Sequence, residues 1–209
     1  MNSLIKEINL IQNEVKEEIK KRHEEFKYIG KNGTEEELFS ELCFCIMTAN
    51  WSAKGGIKAQ KHIGAKNFVK LSLDEMKVKL KEVGHRFPNA RAEYIVSNRW
   101  IIGSLKDLLK KDSKVARKYL AENVKGLGWK ESSHFLRNVG KNDLAILDKH
   151  ILKFMYNNKL IDEIPKSGWN EKKYIYHEKK LQELSDLTKI ELGLLDIYLW
   201  YLIKNSVDK

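Results

Sequence analysis

Val124-Lys-Gly-Leu-Gly-Trp-Lys130, with Asp148 eighteen residues further on, is the stretch from which the rest of the chain is read. A helical run from about Ser113 to Asn123 is cut by two glycines in Gly-x-Gly spacing, and a second run resumes at Trp129 and ends at Gly140. Glycine reaches left-handed backbone angles without a Cβ clash, so Gly126 and Gly128 predict a hairpin tight enough to join two helices at a steep angle. Its tip then presents unpaired N–H groups at the start of the second helix. The helix dipole there also favours an anion, of which a DNA phosphate is one.

The flanks repeat the helical signal. Leu4, Ile8, Ile11, Val15 and Ile19 recur every three or four residues with Lys and Glu between them, which predicts an amphipathic helix. Lys31-Asn-Gly33 ends it. Thr34 and Glu37 have capping-box spacing, and the apolar run to Met47 predicts a buried central helix. A turn over Thr48-Ala-Asn-Trp-Ser52 and a Gly55-Gly56 break come next, then an amphipathic segment through Ile57, Ala59 and Ile63. Ser72 and Glu75 cap another helix, Gly84 to Asn89 reads as loop, and Arg91 to about Gly103 as helix. Beyond the hairpin, Ala145-Ile146-Leu147 leads to Asp148, and a helix through Ile151, Leu152, Met155 and Tyr156 follows. Residues 162–170, with Pro165 and Gly168, read as loop before two last helices near 171–185 and 188–204. With almost no strand alternation, the expectation is an all-α fold of roughly ten helices and no linker between independent domains.

The 209 residues are enough for a sizeable core, and 42% hydrophobic with 33% charged residues is ordinary for a soluble chain. Charge is the unusual quantity: 39 Lys and Arg against 29 Asp and Glu leave +10. Such an excess favours a polyanionic partner, because each phosphate contact releases counterions. It is also compatible with the ion-pair surfaces of thermophile proteins. Cys43 and Cys45 are too few for a disulfide framework or a four-thiolate cluster and read as buried thiols in a reducing cytoplasm. The start lacks a signal-peptide core and no apolar run reaches membrane-spanning length, so neither export nor a membrane partner is expected.

Lys130 falls at the beginning of the second hairpin helix. The positive end of the dipole and partial burial in a groove both disfavour its ammonium form, and an amine nucleophile needs a share of the neutral form. A lone Lys in so basic a chain is otherwise a surface charge or a phosphate contact. Asp148 heads a helix directly after an apolar run, where Asp is a favoured N-cap. A capping Asp is rigidly held, and its second oxygen is left to face a groove.

The hairpin stretch followed by Leu147-Asp148-Lys-His150 resembles the helix–hairpin–helix plus Asp signature of the endonuclease III superfamily of DNA glycosylases. Within it, the chain most resembles the compact 8-oxoguanine DNA glycosylase/AP lyases of archaea and some thermophilic bacteria. The likeness extends over nearly the whole chain, through Met47-Thr-Ala-Asn-Trp-Ser52, Arg86-Phe87, Leu199-Trp-Tyr201 and Lys209. It implies one helical unit, 1–209, in which two subdomains flank a DNA-binding groove. The hairpin subdomain covers about 30–148, and the N-terminal helix with about 149–209 makes the second. It also implies that Lys130 is the nucleophile, that Asp148 stabilises the developing positive charge, and that β-elimination through a lysine Schiff base cuts the abasic strand.

By the same resemblance, Phe87 and Trp200 stack on an extruded base, the Lys209 carboxylate contacts it, and His134 faces the same groove. Asn50 fills the vacated stack or, on the residues alone, caps its helix. Arg86, Lys125, Gly126 and Gly128 join Asn50 as DNA contacts. Lys125 stands where many relatives carry proline, which should loosen the turn slightly while adding a phosphate-binding charge. The carbonyls of Glu122, Val124 and Leu127 match those that hold a structural Na+ or K+, and no other cofactor is required. The implied partner is double-stranded DNA carrying 8-oxoguanine, met by a cytoplasmic, nucleoid-associated monomer. The competing readings are a non-catalytic hairpin module that grips phosphates and a related lyase acting on another lesion. The Lys130 and Asp148 pairing argues against the first, since a binding module needs the glycines but not the Asp.

Overall fold

In the computed structural model, which describes residues 2–165 and 168–207, every regular element is a helix. The elements in chain order are α1 (Asn2–Asn32), α2 (Glu35–Thr48), α3 (Ala53–Ile63), α4 (Ala65–Lys70), α5 (Leu73–Glu82) and α6 (Pro88–Ser97), then a 3-10 turn at Arg99–Ile101. They continue with α7 (Leu105–Lys110), α8 (Ser113–Asn123), α9 (Trp129–Asn138), α10 (Lys149–Asn157), α11 (Glu171–Thr188) and α12 (Leu192–Lys204). The all-α expectation holds, with twelve α-helices among the described residues where roughly ten were expected. The unread α4 and α7 are too short to show a period, and Gly64, at a φ of 79°, starts α4 without a side-chain cap.

The capping signals translate directly. Thr34 and Ser72 accept from the Glu37 and Glu75 backbone nitrogens, and each glutamate caps back onto the N–H of its partner. Three boundaries differ from expectation. Gly55-Gly56 does not break α3 but lies inside it: a Cβ at Gly55 would come 2.6 Å from the Trp51 ring, and one at Gly56 2.5 Å from the Thr48 methyl. The pair lets α3 press onto the end of α2. The helix expected from Arg91 to near Gly103 instead spans Pro88–Ser97, and the Asn98 side chain just after it is bound to the hairpin. At the C-terminal end, α11 continues to Thr188 and α12 begins at Leu192, with Lys189 in a left-handed conformation between them.

Two apolar clusters result. The first gathers α2 with residues from Ala59 to Leu144, including the hairpin's Val124 and Leu127. The second packs α1 against Ala145, Leu147, Met155 and the inner faces of α11 and α12. No helix among the described residues is long and apolar enough to cross a membrane.

Candidate active site

The hairpin is built by unlike glycines. α8 ends at Asn123, and Leu127 N–H closes the turn on the Val124 carbonyl at 3.2 Å. Gly126 has a φ of 84°, and a Cβ there would sit 2.7 Å from the Tyr94 ring, so both backbone angle and space require glycine. Gly128 corrects the expectation of two left-handed residues: its φ is −99°, and it serves as the N-cap of α9. Lacking a side chain, it takes its cap from Glu131, whose Oε2 accepts the Gly128 N–H at 3.3 Å. Lys125 is not loosened by the absence of a proline. Its N–H donates to Asn98 Oδ1 at 3.0 Å and its carbonyl accepts from Asn98 Nδ2 at 2.8 Å, a two-point clamp that a proline would halve.

Lys130 follows directly in the first turn of α9. Its Nζ lies 3.1 Å from Glu131 Oε1, and the side chain is 21% exposed. Asp148 is set by a more elaborate frame. The approach over residues 144–147 is buried, with Ala145 N–H donating to Glu178 Oε1 at 2.9 Å and Leu147 N–H to the Tyr174 hydroxyl at 3.2 Å. Tyr174 donates in turn to the Ala145 carbonyl at 2.8 Å. Glu178 is held by the fully buried Arg117, NH2 to Oε2 2.9 Å, whose guanidinium lies 5.3 Å from the Trp129 ring centroid. At the end of this approach Asp148 caps α10, its Oδ1 accepting from His150 N–H and Ile151 N–H, both at 2.8 Å. The cap uses one oxygen, so the bland reading of Asp148 is true and leaves Oδ2 out of the cap.

A cavity of about 890 Å³ opens between these two helix starts. Lys130, Asp148, Asn50, Arg86, His134 and Trp200 all line it. Phe87, Lys125, Gly126 and Gly128 do not; Phe87 is 40% exposed beside Arg86, whose guanidinium lies 5.0 Å from its ring centroid. Lys209 lies outside the described residues, while Ser206 reaches the cavity wall. Asn50 follows the C-cap of α2 at a left-handed φ of 61° and lines the cavity. Trp200 meets His150 edge-on at 5.6 Å, and His134 meets Phe44 in the same way. Of the three hairpin carbonyls, that of Val124 already accepts the Leu127 N–H.

Two acids of the site escaped the sequence reading. Asp196, on α12, lines the cavity with its side chain 12% exposed, and desolvation pushes its carboxyl up to about 7 despite the Arg137 guanidinium 3.8 Å away. The charges of both Asp148 and Lys130 act on it, which puts the three groups in one electrostatic neighbourhood. A lone acid in the apolar run Gly193-Leu-Leu-Asp-Ile, four residues before Trp200 on the same helical face, was the available signal. Glu131 was legible too, since it stands three residues after its N-cap, as Glu37 and Glu75 do.

Comparison with known proteins points to a single family. The family model described as 8-oxoguanine DNA glycosylase matches residues 19–190. A Thermotoga sp. (strain RQ2) protein named 8-oxoguanine DNA glycosylase/AP lyase is 55% identical over all of both chains. The crystal structure of the 8-oxoguanine DNA glycosylase of Thermotoga maritima superposes with a TM-score of 0.97 at 54% identity, covering 100% of each chain. The Methanocaldococcus jannaschii 8-oxoguanine glycosylase/lyase, solved in complex with a 15mer DNA containing 8-oxoguanine, superposes at 0.94 with 48% identity, covering 99% of this chain and 100% of that one.

Proposed function

The chain belongs to the 8-oxoguanine DNA glycosylase family and is a DNA glycosylase/AP lyase acting on 8-oxoguanine; within that activity we propose that Lys130 and Asp148 carry the chemistry. The observation that supports the assignment is that two helix starts deliver an amine and a carboxylate, eighteen residues apart in sequence, to one cavity. Lys130 Nζ attacks the sugar C1′ as the damaged base departs, and the positive charge that develops on the sugar is stabilised by the Asp148 carboxylate. Opening of the sugar ring at the C1′–O4′ bond, with a proton delivered to O4′, turns this adduct into a protonated Schiff base; that acidifies the C2′ proton, and its loss breaks the C3′–oxygen bond on the 3′ side of the lesion. The extruded base lies against Trp200 in the cavity, with Phe87 brought onto it from the rim, Asn50 taking the vacated place in the stack, and His134 beside it.

The two apolar clusters serve as subdomains on either side of the groove, and the hairpin with Lys125 and Arg86 grips phosphate. Na+ or K+ at the Glu122, Val124 and Leu127 carbonyls would be a structural ion, for which neutral oxygen donors are suited; the chemistry itself uses protein groups alone.

Borohydride trapping on an 8-oxoguanine duplex tests the assignment. Wild-type protein should give a covalent adduct, and Lys130→Gln should bind the duplex without forming one. An adduct that persists in the variant moves the nucleophile elsewhere. Cleavage of oxidised-pyrimidine or uracil duplexes in preference to 8-oxoguanine would instead change the lesion.

A further inference from the structure

One buried histidine that takes no part in this chemistry ties two turns of the groove together. His85 lies between α5 and α6 and is 5% exposed. Its Nε2 is 2.9 Å from the Met47 carbonyl in the last turn of α2, and its Nδ1 is 3.0 Å from the Phe87 backbone nitrogen. A carbonyl only accepts and a backbone N–H only donates, so both bonds form together in one state, the neutral ring with its proton on Nε2. The ring also packs 4.2 Å, centroid to centroid, from Trp51. Asn50 therefore sits between two anchors of the same imidazole, Met47 before it and Trp51 after it, in a left-handed conformation that Asn adopts more readily than other non-glycine residues. Arg91 of α6 adds a parallel tie: it donates to the Ala49 carbonyl at 2.7 Å, and its guanidinium lies 5.9 Å from the Phe87 ring centroid.

We propose that His85 is a positioning residue for base extrusion, holding the Asn50 turn and the Phe87 turn as one unit so that Asn50 enters the stack as Phe87 reaches the displaced base. The inference rests on the roles given above to Asn50 and Phe87. Its consequence is selective. A duplex that already carries an abasic site has no damaged base to extrude, so breaking the brace slows excision of 8-oxoguanine while sparing cleavage at a preformed abasic site. Acid should act in the same way, because a proton on Nδ1 removes the acceptor for Phe87 N–H. Burial first, and then the positive Arg91, hold the His85 pKa below its ordinary value, against the Met47 carbonyl on α2. The α3 side presents the uncharged Trp51 ring. The brace should accordingly persist at neutral pH and fail below the usual histidine range, about 6.5.

The test compares wild type with His85→Phe and His85→Asn in single-turnover cleavage of an 8-oxoguanine duplex and of a preformed abasic duplex. Phe keeps a ring against Trp51 and loses both hydrogen bonds. Asn keeps an acceptor placed for the N–H two residues on, an Asx-turn arrangement, but cannot reach Met47. His85→Phe should lose about tenfold in excision, the scale of one or two buried hydrogen bonds, with less than about twofold change at the abasic site. His85→Asn should fall between. The wild-type ratio of excision to abasic cleavage should drop on the acid side, and in His85→Phe it should stay flat.

Thermal midpoints of the variants are read alongside, and if His85→Phe unfolds, His85→Asn carries the comparison. Equal slowing on both substrates, or an acid limb shared by wild type and His85→Phe, overturns the brace. Wild-type protein that does not excise 8-oxoguanine overturns the lesion reading itself, whereas normal wild-type excision with unchanged variant ratios overturns the brace alone.

Discussion

The starts of α9 and α10 present the two groups proposed above as the catalytic pair in opposite ways. At α9 the cap comes from inside the helix: glycine leaves Gly128 bare, Glu131 reaches back to its N–H, and the same glutamate pairs with Lys130. At α10 the functional residue is itself the cap, and the chain before it is clamped to Glu178 and Tyr174 beneath. The lysine therefore rides on a short-range, partly exposed arrangement and the aspartate on a buried, long-range one. That division suits the reaction. A nucleophile must travel to C1′ and remain attached through elimination, whereas a carboxylate that stabilises charge works best when it does not have to reorganise.

This contrast can be broken from either side. The largest effect is expected at Asp148. Asn still accepts from His150 and Ile151 N–H, so Asp148→Asn should keep the fold and DNA affinity while single-turnover excision falls on the order of 10²–10³-fold. A thermal midpoint that falls with the rate would show that the charge was needed for the cap rather than for catalysis. Next comes the frame: Arg117→Met leaves the Glu178 carboxylate buried without its partner. It should cost about 3–5 kcal/mol in chemical denaturation. Excision should drop more than DNA binding, since Ala145 N–H shares that carboxylate.

Asp196 gives a pH-dependent case. With its folded-state carboxyl at about 7, the native protein holds a proton that the unfolded chain releases near its ordinary value. Stability from this group is therefore greatest in acid and is lost as pH rises from about 4 to about 7. Thermal midpoints of Asp196→Asn should lack that downward slope, and an unchanged slope would place the titration elsewhere. The remaining effects belong to the hairpin, where Asn98 is buried and Glu131 partly exposed. Glu131→Gln keeps an acceptor for Gly128 N–H and removes the charge beside Lys130, so it should change stability by less than about 1 kcal/mol. Any larger change should be in the rate of adduct formation. Asn98→Ala should cost about 1–3 kcal/mol in stability, because it frees both Lys125 backbone groups, and a loss far below that would mean that the turn holds itself.

What could be read in advance follows from the range of the interactions. The caps at Thr34 and Ser72, the stripe of Leu4 to Ile19 and the helix start at Asp148 depend on contacts three or four residues apart, and each was legible. Gly55 and Gly56 were misread because their reason is spatial: a turn signal and a close helix contact use the same residue. Gly128 was misread for a related cause, since Gly-x-Gly spacing does not say which of the two has the positive φ.

The sequence by itself determined the helical class, the hairpin, and the identities of an amine and an acid at two helix starts, because capping chemistry and periodicity are local. Only the tertiary structure decided that both groups open onto one cavity and that Asp196 joins them. It also decided that Asn98 grips Lys125 across 27 residues of chain and that His85 spans two turns. Those features depend on burial and on partners far apart in sequence, and neither is specified until the two apolar clusters have packed.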